Sequence, residues 1–163
     1  MNLQFYFEKL LNSEEFKNFK DQNPNAYLCS GFIAIDKNGN DNQQHFDYSI
    51  NQKIFSFQVE KNCQKIPIEN ATNQKFEKIP DNVNFDFQKL ENLIQEKMQQ
   101  EKINNKIQKY LLSLQRKNKT NYLIGTIFIS RMGMIKTKIN LDTMKIEDFE
   151  KTSFLDMIKV IKK

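Results

Sequence analysis

"AIDKNGNDNQQHFDY", residues 34–48, decides how the first third of this chain folds. Oxygen-bearing side chains at Asp36, Asn38 and Asn40, with Asn42, Gln44 and Asp47 after them, follow the spacing of an EF-hand calcium loop. Such a loop needs Gly at its sixth position for the sharp turn and a bidentate Glu at its twelfth. Counting from Asp36, those places hold Asp41 and Asp47, and the flanks are β-formers where the motif requires helices. The stretch therefore predicts a hairpin. Asn38-Gly39 is a strong two-residue turn signal, because a type I′ turn needs positive φ at both central positions.

That turn sets a register. Lys37 then faces Asn40, Ile35 faces Asn42, Ile33 faces Gln44, Gly31 faces Phe46 and Cys29 faces Tyr48. A second two-residue turn at Asn51-Gln52 places Tyr48 opposite Phe55 and Phe46 opposite Phe57. Cys29, Ile33, Ile35, Phe46, Tyr48, Phe55, Phe57 and Val59 then share one face, opposite Gln43, His45, Asp47 and Ser49. One apolar face and one polar face predict an antiparallel meander covered on one side by a helix.

Upstream, Phe7, Leu10, Leu11, Phe16 and Phe19 recur at helical spacing over residues 3–20. Ser13 is a candidate cap for a second helical segment opening with Glu14 and Glu15, and Asn23-Pro24 ends it. Downstream, residues 61–84 hold two of the three prolines and read as a connection with a short edge strand near Ile66 to Ile68. Residues 85–114 carry Phe87, Leu90, Ile94 and Met98, then Ile103, Ile107, Leu111 and Leu114, at helical spacing. The phase slips near Gln99 to Lys102, which predicts either one helix with a stutter or two joined helices.

"YLIGTIFI" is a continuous apolar run, expected to be a strand buried on both faces. A turn around Gly133 leads to a return strand with Ile135, Thr137, Ile139 and Leu141 alternating against Lys136, Lys138 and Asn140. The end, "TSFLDMIKVIKK", has helical spacing with Thr152 or Ser153 as cap. The order of helix, strand, turn and strand thus occurs twice. The expected fold is α+β, as two helix-plus-antiparallel-sheet halves with a short C-terminal helix. Residues 1–60 form the first helix-plus-meander half, 61–84 the connection, and 85–163 the second half.

"YLCSGFIAID", "NYLIGTIFIS" and "KTKINLDTMKI" carry a resemblance to PepSY-like and cystatin-like α+β repeats. Together with the "TSFLDMI" tail, the N-terminal pattern also resembles uncharacterised small archaeal proteins. Met144 stands after Asp142 and Thr143 where the PepSY-like turn has Gly. The resemblance implies binding, inhibition or scaffolding, with no shared reaction.

Composition narrows the chemistry. The net charge of +5 comes almost entirely from Lys, since Arg116 and Arg131 are the only arginines. Sites that read phosphates and bases favour the planar fork of Arg. Lys102, Lys106, Lys109, Arg116, Lys117 and Lys119 define a candidate basic surface on the expected long helix. His45 is the only histidine, so one chain holds no His-based metal or acid–base pair. Of the two cysteines, Cys29 belongs to the expected core and Cys63 is the more reactive candidate. No run approaches the roughly 18 apolar residues of a membrane span, and the N-terminus does not read as a signal peptide.

The expected protein is cytoplasmic and non-enzymatic, with no catalytic, cofactor-binding or metal residues. It binds a protein or peptide through a sheet edge or the long-helix surface. A second copy of the chain is a further expected partner, because "YLIGTIFI" needs cover. Nucleic acid, bound by the basic surface, is the alternative.

Overall fold

A computed structural model describes residues 3–68 and 76–153. Two helices, α1 (Leu3–Asn12) and α2 (Glu14–Gln22), precede strands β1 (Tyr27–Asp36), β2 (Gln43–Ile50), β3 (Lys53–Gln58) and β4 (Gln64–Ile68). Helix α3 (Phe87–Gln100) then precedes β5 (Ile107–Lys117), β6 (Thr120–Ile129), β7 (Gly133–Asn140) and β8 (Lys145–Ser153).

The eight described strands form one antiparallel sheet in the order β4-β3-β2-β1-β5-β6-β7-β8. This corrects the expectation of two helix-plus-sheet halves: β1 and β5 hydrogen-bond to each other, with Gly31 opposite Leu114 and Ile35 opposite Tyr110. The helix-then-strands order does occur twice, but both sets of strands feed a single, mainly-sheet fold. The same register overturns the helix expected over residues 103–114. Tyr110, Leu112 and Leu114 are fully buried at every second position, which is the strand period.

Helix α3 ends where the phase slipped. Lys102 has a left-handed φ of 56°. Its N–H bonds Gln99 O at 3.0 Å, and the N–H of Ile103 bonds Met98 O at 2.8 Å. These two bonds make a Schellman stop, usually built on Gly. At the other helices the local signals act as written: the Ser13 hydroxyl accepts from Phe16 N–H at 3.3 Å, and Asn23 caps α2.

The first hairpin keeps its register with a different turn. Ile33 lies opposite Gln44 and Gly31 opposite Phe46, but the ladder stops at Ala34 and Gln43. Neither Asn38 nor Gly39 has positive φ. Instead, Asp36 Oδ1 accepts the N–H groups of Asn38 (3.0 Å) and Gly39 (2.9 Å), and Asn42 Oδ1 accepts that of Asp36 (2.9 Å). These side chains hold the loop as an Asx-type turn. A bulge also puts Leu28, not Cys29, opposite Tyr48. At Asn51-Gln52 the expected turn is present, with φ of 49° and 65°, and Tyr48 and Phe46 face Phe55 and Phe57.

Every helix covers the same face of the sheet. Phe7 stacks on Phe46 with centroids 4.1 Å apart, Phe16 and Phe19 meet Phe57, and Phe87 meets Tyr110 edge-on. Leu90, Ile94 and Met98 join Leu112, Leu123, Ile127 and Ile135 in the same core. The edge strand near Ile66 to Ile68 is present as β4, blunted by its short length and Pro67. Thr152 and Ser153, the expected helix cap, are instead the last residues of β8; the rest of the expected C-terminal helix lies outside the described residues.

Candidate functional site

Strand alternation sends one set of side chains to the helices and the other to the opposite face, on which no described helix packs. In the central strands this second set interleaves large apolar side chains with polar ones. Phe32 lies opposite Ser113, which lies opposite Ile124; Leu111 lies opposite Ala34 and Thr126; Phe128 lies opposite Lys109 and Met134. Phe32, Leu111, Tyr122, Ile124 and Phe128 are half-buried and stand outside the core packed beneath the helices. The "YLIGTIFI" run is thus buried on one face only, through Leu123, Ile127 and Ile129, against the expectation of burial on both.

The borders of this apolar patch are charged. Lys138 Nζ sits 4.0 Å from the centroid of the Tyr122 ring and 2.8 Å from Glu147 Oε2. Their hydrogen bond raises the Lys138 pKa and lowers that of Glu147. Lys109 bonds Asp41, whose carboxyl is held below its usual range by that contact.

Towards β3 the same face turns polar. The Ser30 hydroxyl donates to Asp47 Oδ2 at 2.6 Å, and His45 Nε2 lies 2.8 Å from Glu60 Oε1. His45 is therefore a half-buried, partnered side chain rather than a solvated one. Asp47 Oδ1 and Gln58 Oε1 are buried without a hydrogen-bond partner among the described residues. Cys29 is 1% exposed and its thiol is pushed up to about 12, chiefly by burial and then by Asp47, so it stays protonated. Cys63 is also 1% exposed, which corrects its reading as the reactive cysteine. Among the described residues no group of three or more His, Cys, Asp or Glu side chains is placed to hold a metal ion.

The six basic residues do not line a helix. Lys102 and Lys106 precede β5, Lys109 is near its start, Arg116 and Lys117 are at its end, and Lys119 is in the following turn. At about 3.3 Å per strand residue, the two groups stand roughly 30 Å apart. Arg116 donates to Asn121 Oδ1 at 2.9 Å, and Glu77 accepts the backbone N–H groups of Asn118 and Lys119. The apolar patch itself was hidden in the sequence: Leu111 was assigned to a helix, and Phe32 fell between two core positions with no partner to reveal it.

No described helix is long and apolar enough to cross a membrane. No family model and no curated protein matches the chain. Among solved structures, the fold is similar to that of a protein described as a "putative lipoprotein" from Clostridium difficile 630. The TM-score is 0.54 at 10% sequence identity, over 85% of this chain and 91% of that one. At that identity the likeness extends to the fold alone: a single broad sheet with its helices on one side.

Proposed function

We propose that this protein is a non-enzymatic binding module whose protein or peptide partner lies on the helix-free face of the sheet. The observation that carries this is the patch of Phe32, Leu111, Ile124 and Phe128, only half-buried at the centre of that face. Contiguous apolar surface rimmed by polar and charged groups is the mark of an interaction site. Its anchors would be the two aromatic rings, with Lys109, Lys138 and Glu147 at the rim. The resemblance to binding and scaffolding repeats points the same way. Free thiols at Cys29 and Cys63 support a cytoplasmic setting.

A second copy of the chain is an alternative occupant of the same face, favoured by the apolar side chains of β6. Light scattering across a concentration series separates the two. A dimer abolished by Ile124→Thr identifies the copy. A monomer that selects peptides from a displayed library, with binding weakened at least about tenfold by Ile124→Thr, identifies a separate partner. Selected peptides whose binding ignores Ile124→Thr and Leu111→Thr in a folded protein would overturn the reading.

A further inference from the structure

A second concave site lies on the helix side of the molecule, between the C-terminal end of α3, the loop after β1 and the segment leading into β5. It is a cleft of about 460 Å³, and Met98, Ile103 and Ile107 supply its apolar lining. Around them stand the amides of Gln95, Gln99, Asn104 and Asn105 and the ammonium groups of Lys37 and Lys106. We propose that this cleft binds a small organic anion, with a carboxylate or phosphate at the lysines and a short apolar group against Met98 and Ile107.

Three features carry this assignment. First, the cleft is preformed. Lys106 N–H bonds Ser130 Oγ at 3.1 Å, Lys106 O accepts Ser130 N–H at 2.8 Å, and Asn105 Nδ2 bonds Ser130 O at 2.8 Å. With Ile103 tied to Met98 O, the whole segment is held without a ligand, so little ordering entropy remains to oppose binding.

Second, its donors are unspent. The side chains of Gln95, Gln99 and Asn104 make no hydrogen bond to a described residue, and Lys106 has no ion pair among them.

Third, its charge balance is positive. Among the described residues Glu91 is the one carboxylate in the wall, and it is already neutralised. It accepts from Lys37 Nζ at 2.8 Å and from the buried Tyr110 hydroxyl at 3.0 Å. That ion pair fixes the Lys37 ammonium at the wall and leaves Lys106 in excess. Helix C-termini ordinarily repel anions through their free carbonyls. Here the carbonyls of Lys97, Met98 and Gln99 are taken by Glu101, Ile103 and Lys102, which weakens that repulsion.

The test is a backbone-amide NMR titration of the full chain with hexanoate, hexyl phosphate and hexylammonium, repeated with Lys106→Gln. Lys106 is exposed, so this change leaves the fold intact, which a thermal melt checks. Shifts at Asn104, Asn105 and Lys106 with hexanoate or hexyl phosphate support the site, and the tighter of the two identifies the anionic group. The variant should then bind about two- to fivefold more weakly, the worth of one exposed charge contact. Equal binding of hexylammonium, an unchanged affinity in Lys106→Gln, or affinity weaker than about 10 mM for both anions would overturn it.

Discussion

On the helix side of the sheet Phe46, Phe57 and Tyr110 are fully enclosed. On the other side Phe32 of β1 and Ile124 and Phe128 of β6, also large apolar residues, are only half-buried. Both faces hold large apolar side chains, but the second interleaves them with Ser113, Thr126 and Lys109, and no described helix packs on it. Three helices bring Phe7, Phe16, Phe19, Phe87 and Leu90 onto the first face, so each ring there meets other rings edge-on or stacked. Described helices bring nothing to the second, and its apolar side chains are flanked instead by Lys109, Lys138 and Asp47.

The difference can be broken by mutation, and the largest effect belongs to the covered face. Phe57→Ala removes a ring touched by Phe16, Phe19 and Tyr48, and should cost about 3–5 kcal/mol in denaturant unfolding. A cost below about 1 kcal/mol would mean that this face is no better packed than the other. Next comes Glu91→Ala, which leaves the enclosed Tyr110 hydroxyl without its acceptor. About 1–3 kcal/mol should be lost, while Glu91→Gln, which keeps an acceptor, should lose less.

On the open face Ile124→Thr should cost about 1 kcal/mol or less in the isolated chain, while affecting partner binding far more. A large stability loss there would show that the face is a second core. Smaller still, and opposite in sign, is Gln52→Gly or Lys119→Gly, since both residues sit at positive φ, 65° in each case. Relief of that strain should raise stability by a few tenths to about 1 kcal/mol.

The least effect is expected from pH at the β5–β6 turn. Backbone N–H groups of Lys119 and Asn118 hold the Glu77 carboxyl below its ordinary value. A depressed carboxyl contributes above its unfolded pKa, and the contribution disappears as pH falls through the folded one. Amide exchange at Asn118 and Lys119 should therefore be unchanged from neutral pH down to about 5 and accelerate below about pH 4, relative to the intrinsic rate. Glu77→Gln should flatten that dependence.

Local order was legible wherever two signals coincided. At Asn51-Gln52 the apolar alternation and the turn agreed, and both register and turn appear as expected. At Asn38-Gly39 the register survived because Phe46 and Ile33 must be buried, whereas the turn itself is built by Asp36 and Asn42. The left-handed positions that mark turns are occupied by residues such as Lys102, Arg131 and Met144. A chain with only four Gly places few of the usual punctuation marks, so the end of α3 read as a stutter. Met144 makes the same point, since its backbone is left-handed with φ of 50°.

Residues 103–114 show where local information ran out. Ile103, Ile107, Leu111 and Leu114 fit a helix, and Tyr110, Leu112 and Leu114 fit a strand, because Leu111 is apolar for the sake of the open face. Only pairing with β1, remote in sequence, distinguishes the two. The six basic residues are spread along and beside β5 for the same reason, since a strand spaces its residues farther apart than a helix does. The cleft at Lys37, Glu91 and Lys106 joins three distant segments and was not visible in any one of them. The sequence by itself determined α1, α2, the body of α3 and the alternation of faces in the first meander with most of its register, all of which arise from neighbours along the chain. The union of eight strands, the choice of covered face and the cleft were decided by tertiary structure, because each depends on backbone pairing and burial between residues that chain order does not bring together.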